Sequence, residues 1–349
     1  MDELSVFKTV AECVPVKGYR RSIIYDFFRK KYDFIPNSLF EILQNDGRTI
    51  DAIKEEYGNN PIVNEYFDFL VENDYVFFCR AEAYPNFKAL DLNWSYPAFI
   101  SSAVIILDEN EEKDLVSVFS QLEELGCKHM LWVSDEIRDL EFYVSLLDIV
   151  VKSSFLSIDI TTKFNHKISD SEIQIFVLQH PRLRAFINHS SPANKVISKK
   201  ERVFGLIVFS KDGLQLNGDH RRNIRDYFNI NIDLFCESQK HNTYYNGKIF
   251  IHSKGRISNS HGLENFGYVQ TTPLSKAIEI TGFKTLWGIH KEMIEVCKDC
   301  EFRHMCVDKR IPVQKEDGAW HHESECFYNP YISKWKDEEK HKSLESVGS

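Results

Sequence analysis

Long apolar runs, a secretory signal and an excess of basic charge are all missing from this 349-residue chain. No uncharged apolar run reaches the roughly eighteen residues of a membrane-spanning helix. The first residues, MDELSVFKT, have neither the basic start nor the apolar core of a secretory signal. Because the net charge is −9, a nucleic-acid partner is not expected. These absences predict a soluble, cytoplasmic protein with no membrane partner.

Cysteine is scarce until residue 297, and then four of the eight cysteines occur within thirty positions, in the spacing C-x2-C-x5-C-x19-C. A Cys-x-x-Cys pair places two sulfurs on one turn, and more distant cysteines can complete the coordination of one ion or cluster. Unrelated buried thiols are usually scattered, and disulfides do not persist in a reducing compartment. The spacing therefore predicts a metal site at Cys297, Cys300, Cys306 and Cys326.

The spacing alone leaves the metal open between zinc and an iron–sulfur cluster. Structural zinc sites usually pair two Cys-x2-4-Cys hooks, or one hook with a His-x3-5-His arm, and here the second half consists of single cysteines. His304, His321 and His322 lie near enough in sequence to substitute as ligands. Four thiolates already complete a tetrahedral or cubane site without them.

Patterns of short strands and capped helices fill the N-terminal region. Residues 5–35 predict three strands, and helix starts follow at Asn37, Thr49 and Pro61 before a last strand, YVFFCRA. This order predicts a small α+β, winged-helix-like domain over residues 1–80.

The segments DGRTIDAIKEEYG and VNEYFDFLVENDYVFF resemble the peptide-chaperone domain of pyrroloquinoline quinone biosynthesis, which recurs as a precursor-recognition element in ribosomal peptide modification. The resemblance implies that an extended leader peptide is added to an edge strand, with basic residues attracting it. A structural cap without a ligand is the alternative. The residues expected to bind the leader are Arg29, Lys30, Lys31, Tyr32, Asp33, Phe34 and Phe67.

A different pattern, in which strands and helices alternate, occupies residues 81–228. After a proline-containing linker at 81–100, apolar strands such as SSAVIILD, HMLWVS and FLSIDIT are separated by helical segments. Alternation of this kind predicts an α/β fold with a parallel sheet, either open or a partial (β/α) barrel.

The C-terminal region, residues 229–335, resembles the SPASM auxiliary-cluster module. KIFIH and GRISN predict a hairpin, and Gly255 matches the glycine of the module's motif. Ser260 and Arg310 stand where the module has cysteines, so only Cys236 of the first auxiliary cluster's ligands is retained. The four cysteines from 297 to 326 match the second auxiliary cluster. Residues 336–349 are charged and predict a disordered tail.

Taken over the whole chain, VPVKGYRRSIIYDFFRKKYDFIP and CEFRHMC resemble the SPASM-domain peptide maturase of grasp-with-spasm systems, a radical-SAM relative. The resemblance implies a degenerate radical-SAM-like barrel, a 4Fe-4S cluster in preference to zinc, and two partners, a precursor leader and an ATP-grasp peptide ligase. Such barrels begin with a Cys-x3-Cys-x2-Cys loop, which this chain lacks, so no S-adenosylmethionine is expected.

The sequence leaves two candidate functions. The favoured one is an accessory maturation protein that binds the leader of a ribosomally synthesised peptide. The alternative is a redox or other peptide-modifying enzyme that uses its single 4Fe-4S cluster. No Ser/His/Asp triad or carboxylate pair stands out, and His180, His189 and His220 read as ordinary histidines, so the catalytic residues are unknown and enzymatic activity is not expected.

Overall fold

The computed structural model describes residues 5–108, 114–197, 205–214, 216, 228–262, 264–336 and 338. These residues form a mixed α/β protein with one large, mostly parallel sheet. No helix among them is both long and apolar enough to cross a membrane. His220 and almost all of the predicted tail at 336–349 lie outside the described residues.

The N-terminal region contains five strands and three helices. They are β1 (Ser5–Thr9), β2 (Cys13–Val16), β3 (Ser22–Asp26), β4 (Lys31–Ile35), α1 (Asn37–Leu43), α2 (Ile50–Glu56), α3 (Ile62–Glu72) and β5 (Val76–Arg80). All three helices lie where the sequence predicts them, and the Thr49 side chain caps α2 by accepting from the backbone N–H of Ala52.

The prediction of a single first strand is wrong, because the chain turns after Val10 and makes two. The N–H of Cys13 donates to the carbonyl of Val10, so β1 leaves to pair with β5 while β2 pairs with β3. The order β2–β3–β4 forms a three-stranded antiparallel sheet with β4 at its edge. Ile24 and Ile35 pack against the helices, whereas Ile23 and Tyr25 face the C-terminal region.

The large sheet has the strand order β10–β11–β9–β8–β7–β6–β12–β13. Its elements and the helices between them are β6 (Ser102–Leu107), α4 (Leu115–Glu124), β7 (His129–Ile137), α5 (Leu140–Ile149), β8 (Ser157–Lys163), α6 (Asp170–Gln179), β9 (Leu183–His189), β10 (Lys195–Ile197), β11 (Leu206–Phe209), α7 (Ile232–Ser238), β12 (Lys248–Ile251) and β13 (Ile257–Ser258). Six neighbouring strands are parallel, and β10 and β13 are antiparallel at the two ends. The predicted alternation and the predicted hairpin are confirmed.

Side chains from successive strand residues point to opposite sides of this sheet. Met130 and Trp132 join the core under α4, α5 and α6, which we call the helix side. Val133, Val104 and Phe250 belong to a second cluster on the other side, which we call the cavity side. Both sides are therefore covered, as the continuous apolar strands require.

Strand β12 lies within the segment that the sequence assigns to the C-terminal module, yet it belongs to the large sheet. Lys248 pairs with Ser102 and Ile251 with Ile105. Strand β12 therefore runs parallel to β6, on the side of β6 opposite β7. The first parallel strand in sequence is thus an interior strand of the sheet.

Beyond β13 the chain has little regular structure. It contains α8 (Leu274–Ala277) and four strands of two residues, β14 (Val313–Gln314), β15 (Trp320–His321), β16 (Tyr328–Asn329) and β17 (Lys334–Trp335). Among the described residues these strands pair as the ladders β14–β15 and β16–β17, with one further bridge between Trp320 and Ile294. Ladders of this length are not stable alone, so the segment depends on packing and on any ligand that its side chains hold.

Candidate functional site

A tight turn carries the first two cysteines of the predicted metal site. Residues Cys297–Asp299 form one turn of 3-10 helix, and the N–H of Cys300 donates to the carbonyl of Cys297 at 3.1 Å. The preceding Val296 has φ +67°, a conformation that costs a β-branched residue about 1–3 kcal/mol. Such strain persists only where the surrounding structure enforces it, so the turn is held by what it packs against.

The four cysteines are free thiols, and three of them, Cys300, Cys306 and Cys326, border one apolar cluster. Burial raises the pKa of Cys300, and the Glu301 carboxylate and the Cys306 and Cys326 thiols raise it further. Burial also raises the pKa of Cys306, with contributions from Cys326 and Cys297. The thiols therefore lie near one another, and their binding of one metal group stays a prediction.

Two buried cations and one buried carboxylate lie beside the thiols. Lys291 Nζ is 2.9 Å from Asp308 Oδ2, and the Arg310 guanidinium binds both oxygens of Asp308 with Nε and Nη2 at 2.6–3.1 Å. Burial alone would lower the pKa of Lys291, but Asp308 and the thiols of Cys297 and Cys306 raise it above the usual value. The three side chains carry a net charge of +1, which offsets the negative charge of metal-bound thiolates.

Arg310 therefore makes specific contacts at the position where the SPASM pattern has a cysteine. Besides Asp308, it donates from Nη1 to the carbonyl of Ser324 at 2.5 Å, which ties together the two chain segments that carry Cys306 and Cys326. Cys236, which matches a first-cluster ligand of the SPASM pattern in sequence, lies elsewhere on α7, where its sulfur is 3.8 Å from the carbonyl of Asp91.

Of the three histidines considered as substitute ligands, only His322 lies at the thiols. One atom each from Cys297, Asp308 and His322 lie within 4.8 Å of one another. Burial lowers the pKa of His322 to about 3, so its imidazole is neutral, and its buried Nε2 lies 3.3 Å from Asp308 Oδ2 without hydrogen-bond geometry. His304 instead contacts Ser238 Oγ through Nδ1 at 2.7 Å, and His321 Nδ1 lies 3.0 Å from the carbonyl of Val313.

These residues fit a thiophilic metal group. Four thiols and one neutral imidazole nitrogen are soft to borderline donors, and the buried cations beside them lower the cost of thiolate charge. Cys297, Cys300, Cys306 and Cys326 would hold the group, with His322 beside Cys297. When bound, an iron–sulfur cluster supplies electron transfer, and either metal group supplies folding free energy.

The metal-site loop is joined to the N-terminal sheet through Glu301 and Phe302. Arg21 Nε donates to Glu301 Oε1 at 2.8 Å, and the Tyr25 hydroxyl donates to the Glu301 carbonyl at 3.0 Å. The ring of Phe302 contacts the rings of Tyr32 and Phe34 on β4, at centroid distances of 5.9 and 5.8 Å. The thiols thus lie directly beneath the sheet whose edge is the candidate peptide site.

The structure places six of the seven expected leader-binding residues on or next to β4. Tyr32, Asp33 and Phe34 lie on the edge strand, and no other described strand pairs with its outer side. The end of α3 lies beside it, because Lys31 Nζ is 3.4 Å from Asn73 Oδ1. Asp33 also accepts a hydrogen bond from the hydroxyl of Tyr75, just beyond α3.

Two details of the expected peptide site are wrong. Arg29 is not free to attract a ligand, since it pairs with Asp26 at 2.9 Å and with Asp74 at 2.8 Å. Lys31 pairs with Asp33 at 3.1 Å. Of the three basic residues, Lys30 is exposed and has no ion pair within the described part of the chain. The second error concerns the position of Phe67 relative to β4.

Phe67 does not lie beside β4. Its ring contacts Phe7 on β1 and Phe78 on β5, at 5.2 and 6.4 Å. A separate cavity of about 490 Å³ between α2, α3 and β5 includes Phe67 in its lining. The residues that contact β4 from this part of the chain, Asn73 and Tyr75, follow the C-terminal end of α3, and the sequence pattern did not single them out.

A larger cavity of about 1100 Å³ occupies the cavity side of the large sheet. Thr161 and Ile187 contribute from β8 and β9, Glu237 from α7, and Trp94 from the segment predicted as a linker. His189 also lines it, with Nε2 3.0 Å from the carbonyl of Ser134. This site combines a mixed polar and apolar lining with a volume large enough for a peptide segment or a small molecule.

Sequence reasoning missed the charged residues of both sites. Lys291, Asp308 and Arg310 lie among the metal-ligand candidates, and the DKR run directly after Cys306 was a usable signal, because charged residues are seldom buried unless paired. Lys248 and Glu237, near the large cavity, left no comparable signal in the sequence.

Comparison with known proteins gave only distant matches. No protein-family model matches the chain, and no curated protein matches it. Two solved structures of SuiB from Streptococcus suis are similar at 10% and 9% identity, with TM-scores of 0.31 and 0.28; the second is bound to S-adenosylmethionine. Each comparison covers 86% of this chain and 94% of the SuiB chain.

Proposed function

We propose that this protein is an accessory maturation factor for a ribosomally synthesised peptide, which binds the precursor's leader at β4 and works with an ATP-grasp peptide ligase. The observation that carries the proposal is the open edge of β4. A strand whose outer backbone groups are unpaired can add an extended peptide by backbone hydrogen bonds, while neighbouring side chains supply specificity.

Side chains around β4 suit such a peptide. Phe34 is 40% exposed and offers an apolar contact, with the Arg21 guanidinium 3.4 Å from its ring centroid on the other side. Lys30 provides an exposed positive charge at the β3–β4 turn, where it would speed the approach of an acidic leader. The leader would lie between β4 and the end of α3.

In this proposal the four cysteines bind a 4Fe-4S cluster, with zinc as the alternative. The resemblance of the cysteine spacing to the SPASM auxiliary-cluster module supports the cluster. Its part is to hold the loop of Glu301 and Phe302 beneath β4, so that the edge strand keeps its position. The ligase partnership rests on the sequence resemblance to grasp-with-spasm maturases, and the ligase would form the new bond in the precursor.

Titration of a fluorescently labelled leader peptide into the full chain tests the proposal. We expect saturable binding at micromolar concentration, weakened about tenfold by Phe34→Ala, which removes an apolar contact at the centre of the site. Leu156→Ala is the matched control, because Leu156 is 66% exposed and lies far from β4 in the chain. Lys30→Glu should slow association, with less effect at high salt.

Failure to observe saturable binding would refute the leader-binding function. Equal affinity in Phe34→Ala, Lys30→Glu and the control would place the leader on another surface. Metal analysis of anaerobically purified protein addresses the cluster separately: iron and sulfide in equal amounts support 4Fe-4S, whereas one zinc per chain supports the alternative.

A further inference from the structure

His322 presents one ring nitrogen to the candidate metal site. Its side chain is only 5% exposed, and Nδ1 lies 3.4 Å from the carbonyl of Ile311. A neutral imidazole has one N–H, and when Nδ1–H donates to this carbonyl, Nε2 keeps its lone pair. Nε2 is buried and makes no hydrogen bond among the described residues. Histidines that bind metals are oriented in this way, with one nitrogen donating to a carbonyl and the other facing the metal.

The groups around Nε2 call for a cation at this point. Nε2 lies 3.3 Å from Asp308 Oδ2, an oxygen that already accepts from Lys291 Nζ at 2.9 Å and from Arg310 Nη2 at 2.6 Å. A carboxylate has no proton to donate to a lone pair, so Asp308 cannot be the partner of Nε2. One atom each from Cys297, Asp308 and His322 lie within 4.8 Å of one another. A thiol and an imidazole nitrogen this close together can share one thiophilic metal ion.

The sequence around His322 supplies a second pair of closely spaced ligands. Cys297 and Cys300 are separated by two residues, and His322 and Cys326 by three. Structural zinc sites are commonly built from two such pairs, and three cysteines with one histidine are a usual ligand set. The pattern C-x2-C…H-x3-C meets this description, whereas Cys306 stands alone between the two pairs.

The charge beside the site also favours one imidazole among the ligands. Zn²⁺ with three thiolates and a neutral imidazole carries a single negative charge, whereas four thiolates leave twice as much. Lys291, Asp308 and Arg310 together carry a net charge of +1, and all three are buried. Because buried charge is tolerated where it is paired, the mixed ligand set is the one that these side chains neutralise.

We propose that His322 is a metal ligand through Nε2, together with Cys297, Cys300 and Cys326, and that Cys306 is a free thiol outside the ligand set. The inference rests on the metal site of the proposed function and exchanges one of its four ligands. Either metal group accepts the exchange, since imidazole replaces thiolate in some iron–sulfur centres. Leader binding at β4 is compatible with both sets, because each of them holds the turn from Cys297 to Cys300.

X-ray absorption at the zinc edge identifies the ligands directly. The full chain is stripped of metal under reducing, anaerobic conditions and given one equivalent of Zn²⁺, which binds without assembly of a cluster. We expect three sulfurs at about 2.3 Å and one nitrogen at about 2.0–2.1 Å. Four sulfurs without nitrogen would overturn this inference and leave the four-thiol site in place. A chain that binds no zinc would overturn it as well, and leader titration would then test the proposed function separately.

Zinc affinity, measured by competition with a chromophoric chelator, separates the two candidate ligands. His322→Ala should weaken binding at least about a hundredfold, because losing a ligand costs more than losing a group that only orients one. Cys306→Ser should leave the affinity nearly unchanged. His321→Ala is the matched control, since His321 Nδ1 also lies near a carbonyl, that of Val313, at 3.0 Å.

The variant His322→Cys distinguishes ligation from a structural role of the ring. It removes the imidazole and its contact with Ile311 but supplies a thiol, so we expect it to restore zinc binding with a fourth sulfur at the zinc edge. Far-UV circular dichroism checks that each variant keeps the large sheet. Strong loss of zinc in Cys306→Ser together with wild-type affinity in His322→Ala would refute the proposal.

Discussion

Replacing Cys300 by alanine is expected to release the metal-site loop and, with it, the N-terminal sheet. The loop from Cys297 to Cys306 is ten residues long and has almost no regular structure. Ordering ten residues costs about 10–20 kcal/mol of conformational entropy. The loop stays ordered without metal only if its contacts with the rest of the protein contribute a free energy of that size.

Metal is expected to supply a large part of that free energy. Burial of Phe302 contributes about 1.5–3 kcal/mol, and the Tyr25 hydrogen bond and the charged Arg21–Glu301 pair contribute about 1–3 kcal/mol each. Further contacts, such as the hydrogen bond from Arg303 Nη1 to the Lys17 carbonyl at 2.6 Å, add to these. Structural zinc in small peptides contributes about 10–16 kcal/mol, more than any one of these contacts. We therefore expect the loop to lose order when metal ligation is lost.

Hydrogen–deuterium exchange with mass spectrometry provides the assay. In Cys300→Ala, and in wild-type protein after chelation, peptides covering residues 297–306 and 22–35 should lose protection together, while peptides from β8 and β9 keep theirs. Cys127→Ala is the matched control: Cys127 is also buried, with its thiol 3.4 Å from the carbonyl of His129, and we expect a global loss of only about 1–2 kcal/mol. Equal metal content and equal exchange in the two variants would refute the reasoning.

Three further predictions follow from other contacts. Arg310→Met should cost about 3–5 kcal/mol in urea unfolding because it removes several hydrogen bonds from Asp308 and the Ser324 carbonyl in a buried site. Arg184→Met, at an exposed pair, should cost under about 1 kcal/mol, and similar losses in the two variants would contradict this. Burial lowers the pKa of His304 to about 3, so its contribution to stability is complete above about pH 6.5 and is lost as the pH falls toward 3. His304→Gln should flatten that pH dependence in urea titrations, and an unchanged profile would be inconsistent with a neutral His304. Protein supplied with S-adenosylmethionine and a strong reductant should give no 5′-deoxyadenosine, since the Cys-x3-Cys-x2-Cys loop is missing, and turnover-level product would overturn the accessory role.

Local sequence signals predicted the elements but not their distant partners. The strands and helices from 101 to 209 follow from periodicity and caps, such as the Ser169–Glu172 capping box of α6, because these signals act over a few residues. The pairing of β12 with β6 was not predictable, because the sequence of a short apolar strand does not specify which strand it pairs with.

Charge pairing shows the same limit. Arg29 reads as a free positive charge in the sequence, but Asp74, 45 positions away, neutralises it in the fold. Phe67 fits the apolar stripe of α3, and the pattern cannot say whether that stripe faces β4 or the β1–β5 ladder. Residue types predict which side chains need a partner, whereas tertiary structure decides which partner they receive.

The position of β12 in the sheet also means that β6 is synthesised well before the strand that covers its outer edge. Ser101 bonds to Gly247, 146 positions further along the chain. At a ribosomal rate of about 5–20 residues per second, the outer edge of β6 waits for about ten seconds before its partner strand is made. During that interval an apolar strand has one open edge, a template for pairing with the wrong chain. Expression at low temperature lengthens the wait, so holdase chaperones and slow induction should affect the yield of this protein more than that of a protein whose neighbouring strands are consecutive.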